Sequence, residues 1–220
     1  MTINPLGQVS PLPRRDSVSA QHRGLARDLL RRLEAPSAVW AHDSLGLLAP
    51  LGGPNNTSTS RRTLLDLLPE RWRALASFGR LGLVISPGNP TTTIRETRAF
   101  PHRVQCPGWS DDEHSVGVLI RTVRVQLSPK PAVADTSVVT ATVGLHALAR
   151  RYARGCDGRD EAVLRDLLTL TNPSKWTTGV RDSNSEFDVV VPGGRWRGGA
   201  MRLDCANPVL AVRTFIASGH

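Results

Sequence analysis

The sequence turns from β-rich to helical within residues 136–155, TSVVTATVGLHALARRYARG. The Val- and Thr-rich start favours a strand, and the helical pattern that follows Val143 ends at Gly155. His146, Arg150 and Arg154 are spaced by four residues, so they share one face of this helix. The residues predicted to dock the helix on a sheet fall largely on other faces: Leu145, Leu148, Ala149 and Tyr152.

This helix face carries two guanidinium groups and an imidazole, which suit a phosphodiester. Arginine grips phosphate oxygens in a bidentate fork and stays charged, and histidine can exchange a proton near neutral pH. Metal-free RNA cleavage needs a base for the 2′-OH, an acid for the leaving oxygen and positive charge for the transition state. We therefore predict His146, Arg150 and Arg154 as a catalytic set. A solvated or structural histidine beside arginines is the alternative.

Downstream of this helix, DEAVLRDLLTLTN predicts a second helix, and three strand patterns follow: EFDVVV, WRGGAMRLDC and PVLAVRTFI. The turn VPGGR suits a hairpin between the first two strands. The last run is almost continuously apolar, which predicts a central, buried strand. Asp188 alternates with apolar residues on its strand and is predicted to pair with a neighbouring arginine.

Upstream, β-rich runs occupy residues 81–143, after two predicted helices. The first helix is predicted to begin after Ser19 and to stop at Pro36, and the second to start at Ser60 with a kink or break at Pro69. The predicted fold class is α+β, with N-terminal helices, a β-rich middle and a C-terminal two-helix plus antiparallel-sheet unit. The predicted divisions are a flexible basic arm over 1–18, a helical then β-rich region over 19–136, and a ribonuclease-like unit over 137–220.

The stretch VGLHALARRYARG, the helix DEAVLRDLL, the hairpin GGRWRGG and the final VRTFI together resemble the RelE/colicin-type (barnase-like) ribonuclease toxin fold. The resemblance covers residues 137–220 and implies two helices on a small antiparallel sheet with an active site on its open face. It adds residues for phosphate contact or base stacking to the catalytic set: Arg151, Tyr152, Lys175, Arg195, Trp196, Arg197, Arg213 and Thr214. Residues 19–135 have no counterpart in that minimal fold.

The positive net charge of the chain favours polyanions as binding partners. The formal net charge is +9, with 26 arginines and only two lysines. A basic balance of this size favours nucleic acid as partner, RNA before DNA. GC-rich coding is an alternative explanation for the Arg:Lys ratio, but not for the excess of positive charge. A protein partner or a homo-oligomer stays open.

Other motifs in the sequence predict no cofactor and no metal site. The three cysteines form no CxxC pair, and the acidic run Asp111–Glu113 lacks calcium-loop spacing. The sequence has no apolar run of membrane-spanning length and no secretory signal at its start, so a cytoplasmic location without membrane contact is expected.

Three functions fit these observations. The first is a metal-independent ribonuclease, possibly a toxin-like effector, that cleaves RNA by acid/base attack of the 2′-OH. The second is a non-catalytic nucleic-acid-binding or particle-forming, coat-like protein, in which arginines neutralise packaged nucleic acid. The third is a protein-interaction module whose charge reflects genomic composition.

Overall fold

The computed structural model describes residues 18–52, 57–88, 91–103, 114–127, 132–155, 158–179, 186–202 and 208–218. Its helices are α1 (Ala20–Gly52), α2 (Ser58–Ala74), α3 (Leu145–Arg154) and α4 (Asp160–Leu168), and short 3-10 turns follow at Thr169–Thr171 and Pro173–Lys175. Its strands are β1 (Arg80–Ser86), β2 (Thr91–Arg103), β3 (His114–Gln126), β4 (Ala132–Gly144), β5 (Trp176–Gly179), β6 (Glu186–Val191), β7 (Gly194–Arg202) and β8 (Pro208–Ala217).

All eight strands form one mixed sheet in the order β1-β2-β3-β4-β8-β7-β6-β5. Within β1–β4 and within β5–β8, consecutive strands pair antiparallel. The two sets meet where β4 and β8 pair in parallel, with Ala141 opposite Leu210 and Val143 opposite Val212. Over the described residues, one layout thus occurs twice, two helices followed by four antiparallel strands, and both sets of strands belong to the same sheet.

The predicted fold class was wrong in its C-terminal part. Helices α3 and α4 lie where the sequence placed them, but they form no separate unit with an antiparallel sheet, because β8 joins the closing strands to β4. The expected boundary between residues 136 and 137 falls inside β4. Local periodicity shows that a segment is a strand, but it does not show which distant strand pairs with it. The predicted arm lies almost wholly outside the described residues.

Helices cover both faces of the sheet. Ile94 and Val123 pack in a cluster with Trp40 of α1 and Trp72 of α2. Ala99 and Val118 instead belong to a larger cluster with the first half of α1 and with α3, α4 and β8. Successive side chains of a strand point to opposite faces of the sheet. Along β2 and along β3, an odd number of positions separates the residues of one cluster from those of the other, so the two clusters lie on opposite faces.

Prolines lie inside both N-terminal helices. The predicted stop of the first helix at Pro36 was wrong, because α1 continues for 16 further residues. Of the two outcomes predicted at Pro69, the break is wrong, because α2 runs through Pro69 to Ala74. A proline inside a helix costs about 3 kcal/mol. In α1 that cost is offset by burial on both sides of the proline, since Leu33 and Trp40 are both in the core. The Ser37 hydroxyl also donates to the Leu33 carbonyl oxygen at 2.6 Å.

The cluster under α2 contains a buried carboxylate, Glu96. Its Oε2 accepts hydrogen bonds from the indole nitrogens of Trp40 at 2.9 Å and Trp72 at 2.8 Å. Its Oε1 accepts from Arg80 Nε at 2.8 Å and Arg98 Nη1 at 3.0 Å. Burial lowers the pKa of Arg98 and the Glu96 carboxylate opposes that shift. Because every partner is hydrogen-bonded, this charge ties both helices to the sheet.

Candidate nucleic-acid interface

Helix α3 presents the predicted basic face away from the core. Leu145, Leu148, Ala149 and Tyr152 are buried, whereas His146 is exposed and Arg150 and Arg154 are half-buried. The predicted docking face is therefore confirmed. Arg150 extends from the helix to the sheet, where its Nη1 donates to the Thr214 hydroxyl of β8 at 2.7 Å.

The sheet continues this polar row across three strands. Thr214 stands opposite Arg197 of β7, and Arg197 stands opposite Asp188 of β6. Arg197 donates to Asp188 in a bidentate fork, Nε to Oδ1 at 2.8 Å and Nη2 to Oδ2 at 2.9 Å. The prediction that Asp188 pairs with an arginine is confirmed.

A further arginine joins the same carboxylate. Arg195 Nε lies 3.3 Å from Asp188 Oδ2 without hydrogen-bond geometry, and 43% of the Arg195 side chain is exposed. Side chains alternate along these strands, so the row stays outside while Val189 and Trp196 are buried beneath it. We call the group formed by Arg150, Asp188, Arg195, Arg197 and Thr214 the arginine surface.

Electrostatics on the arginine surface favour an anion. The hydrogen bonds from Arg197 hold the pKa of Asp188 below its ordinary value, so the carboxylate is ionised at neutral pH. The same bonds raise the pKa of Arg197. Two guanidiniums, those of Arg195 and Arg197, lie against Asp188. With Arg150 on the same surface, three positive charges face the negative charges of Asp188 and Glu186. An arriving phosphate replaces water around exposed guanidinium nitrogens, which suits bidentate recognition.

Three of the predicted contact residues lie in the core instead. Arg151 is buried and its Nε donates to Asp166 Oδ2 at 2.5 Å. Tyr152 donates to Asp160 Oδ1 at 2.5 Å, and burial together with that hydrogen bond raises the pKa of Tyr152. Trp196 is fully buried, edge-on to Phe215 with ring centroids 5.0 Å apart. Neither aromatic ring is presented to a base, so we leave these residues out of the interface.

The remaining predicted residues lie around the arginine surface. Arg213 is exposed on β8 beside Thr214, where the β7–β8 register shifts. Arg154 is one helical turn beyond Arg150, and His146 is one turn before it. Lys175 is exposed ahead of β5, the strand beyond β6. The three cysteines and the acidic run 111–113 lie outside the described residues.

Sequence reasoning missed a cleft of about 320 Å³ between α1 and the paired ends of β2 and β3. Arg27 and Arg31 line it from the helix, and His102 and His114 line it from the strands. The histidines are 12 positions apart, and only the antiparallel register brings them together. The signal in the sequence was the two histidines themselves, which become informative only once the pairing of β2 with β3 is known. We call this space the histidine cleft.

Comparison with known protein families, curated proteins and solved structures found no match for this chain. Within the described ranges, no group of three or more His, Cys, Asp and Glu side chains is placed to hold a metal ion. No helix in the described chain is both long and apolar enough to cross a membrane.

Proposed function

We propose that this protein binds RNA through its phosphate groups on the arginine surface. The observation that carries the proposal is the continuous row from α3 to β6, in which Arg150 holds Thr214 and Arg197 stands beside it. Strands lie about 4.8 Å apart, so donors on α3, β8 and β7 present themselves along a path that an extended nucleic-acid strand can follow. Arginine residues outnumber acidic residues along this path, and the guanidinium group is the side-chain group best suited to binding phosphate.

Fluorescence anisotropy with a labelled single-stranded RNA tests the proposal, with the salt concentration varied. For single strands, the slope of log affinity against log salt is about 0.7 per phosphate contact. We expect the triple variant Arg150→Ala, Arg195→Ala, Arg197→Ala to lower that slope by about 2. Arg124→Ala on β3, an exposed arginine away from this surface, is the matched control. Equal affinity and slope for the triple variant and the control would falsify the proposal.

Metal-independent RNA cleavage is a second candidate, favoured by the exposure of His146 one turn from Arg150. Acid/base cleavage needs two proton-transfer groups. Tyr152 is buried on Asp160, and Asp188 is held by Arg197, so neither is a second group in this arrangement. Binding is therefore the better-supported function.

Incubating the protein with total RNA in EDTA tests the cleavage candidate separately. Cleavage that is lost in His146→Ala while RNA affinity is kept would support a catalytic role for that histidine. Intact RNA, or equal cleavage by the variant, would leave binding alone.

A further inference from the structure

We propose that the histidine cleft binds a phosphate monoester of nucleotide size. This second site does not depend on the arginine surface or on the function proposed for it. Its volume of about 320 Å³ is at the lower end of the range for small-ligand pockets, about 300–1,000 Å³.

The two cations of the cleft come from one face of α1. Arg27 and Arg31 are one turn apart and exposed, while Leu29 and Leu33 on the other side anchor the helix in the core. Arg31 also contacts Asp28 at 2.6 Å, but 78% of the Arg31 side chain and 52% of the Asp28 side chain are exposed. Exposed pairs of this kind contribute about 0–1 kcal/mol, so Arg31 can exchange this partner for phosphate.

The facing wall is held rigidly by the sheet. His102 stands opposite Ser115, whose hydroxyl donates to the His102 carbonyl oxygen at 2.6 Å and accepts from the Thr142 hydroxyl at 2.9 Å. The Nδ1 of His102 is buried and has no hydrogen-bond partner among the described residues. The His102 ring packs beside Phe100, with ring centroids 5.2 Å apart, on the face of the sheet opposite Val116 and Val118. Alternation along β3 places His114 on the face that α1 covers, so His114 is the histidine that faces the two arginines.

The remaining lining of the cleft limits what fits. Leu30 and Pro101 provide apolar surface for a ring, and Glu34 adds a hydrogen-bond acceptor and a negative charge. With Asp28 and Glu34 beside the two arginines, the cleft suits one phosphate group better than a continuous run of phosphates. A single phosphate on a small, partly apolar molecule matches this lining. The phosphate belongs either to a free mononucleotide or to the 5′ end of an RNA strand.

Isothermal titration calorimetry with AMP, adenosine and inorganic phosphate tests the site on the whole protein. We expect AMP to bind at least tenfold more tightly than adenosine, and Arg27→Gln to weaken AMP binding about tenfold or more. Arg23→Gln, an exposed arginine one turn earlier on α1, is the matched control. A cleft that binds neither AMP nor phosphate overturns the proposal, as do equal affinities for AMP and adenosine or equal effects of the two variants.

Two further arms identify the source of the phosphate and separate this site from the arginine surface. A short RNA with a 5′-phosphate that binds more tightly than its 5′-hydroxyl counterpart, with the preference lost in Arg27→Gln, assigns the site to RNA ends. Equal binding of the two RNAs, with AMP binding intact, assigns it to free nucleotides. Arg197→Ala should leave AMP affinity unchanged, because that residue belongs to the other surface.

Discussion

At the scale of single residues, the buried carboxylate of Glu96 has the clearest energetic consequence. We expect Glu96→Gln to destabilise the fold by about 3–5 kcal/mol, because it removes the negative charge that faces buried Arg98. Urea denaturation measures the free energy of unfolding. Glu70→Gln, at an exposed position of α2, should change it by less than about 0.5 kcal/mol. Similar effects at the two positions would contradict a stabilising role for the buried pair.

Asp188 is a residue at which the proposed RNA binding and the stability of the fold oppose each other. Because Arg197 lowers the pKa of Asp188 in the folded state, the stability from this contact is present at neutral pH and is lost as pH falls through the folded pKa. Asp188→Asn should therefore be less stable than the wild type at pH 7, and the difference should shrink in acid. Denaturation at pH 7 and pH 3 measures this change.

The same variant should bind RNA more tightly, since it removes the carboxylate that competes with phosphate for Arg195 and Arg197. The anisotropy assay measures that gain. Weaker RNA binding by a folded Asp188→Asn protein would mean that the carboxylate positions the arginines rather than competing for them.

At the scale of elements, α3 depends on the glycine that ends it. A methyl group at Gly155 would overlap the guanidinium of Arg151, which is paired with Asp166 in the core. We expect Gly155→Ala to cost about 1–3 kcal/mol, the usual penalty for overpacking. Gly158 has nothing within 4 Å of an added methyl group, so Gly158→Ala is the control. Thermal unfolding compares the two, and equal melting temperatures would argue against this constraint.

Helix α3 also shows how much the sequence could reveal. Its periodic pattern predicted both the helix and its buried face, because amphipathicity is a local property. The sequence could not predict that α1 continues beyond Pro36. The burial of Leu33 and Trp40 stabilises the helix on both sides of this proline, and that burial depends on tertiary contacts. The resemblance to the ribonuclease toxin fold placed Tyr152 and Trp196 at the interface, although aromatic side chains serve a core as readily as they stack on a base.

At the scale of the whole molecule, the structure differs from the sequence-based prediction chiefly in which distant strands pair with each other. Asp188 and Arg197 lie on neighbouring strands of a hairpin, and their contact followed from local alternation. The contact of Arg150 with Thr214 spans 64 positions, and that of His102 with Ser115 required the register of a long hairpin. The arginine surface therefore combines a helix face that the sequence showed with neighbours that only the sheet supplied, whereas the histidine cleft depends on tertiary structure throughout.

The parallel junction of β4 and β8 also sets the order in which the molecule can fold. Each set of four strands closes by hairpins between neighbours in sequence, whereas Ala141 must meet Leu210 across a long loop of chain. Non-local pairing of this kind slows folding, because the entropy of closing the long loop is lost before the stabilising contacts between the two strands form. In pulsed hydrogen exchange during refolding, we expect the β2–β3 amides to be protected before those of β8 at the junction. Simultaneous protection would indicate that the two halves form as one unit.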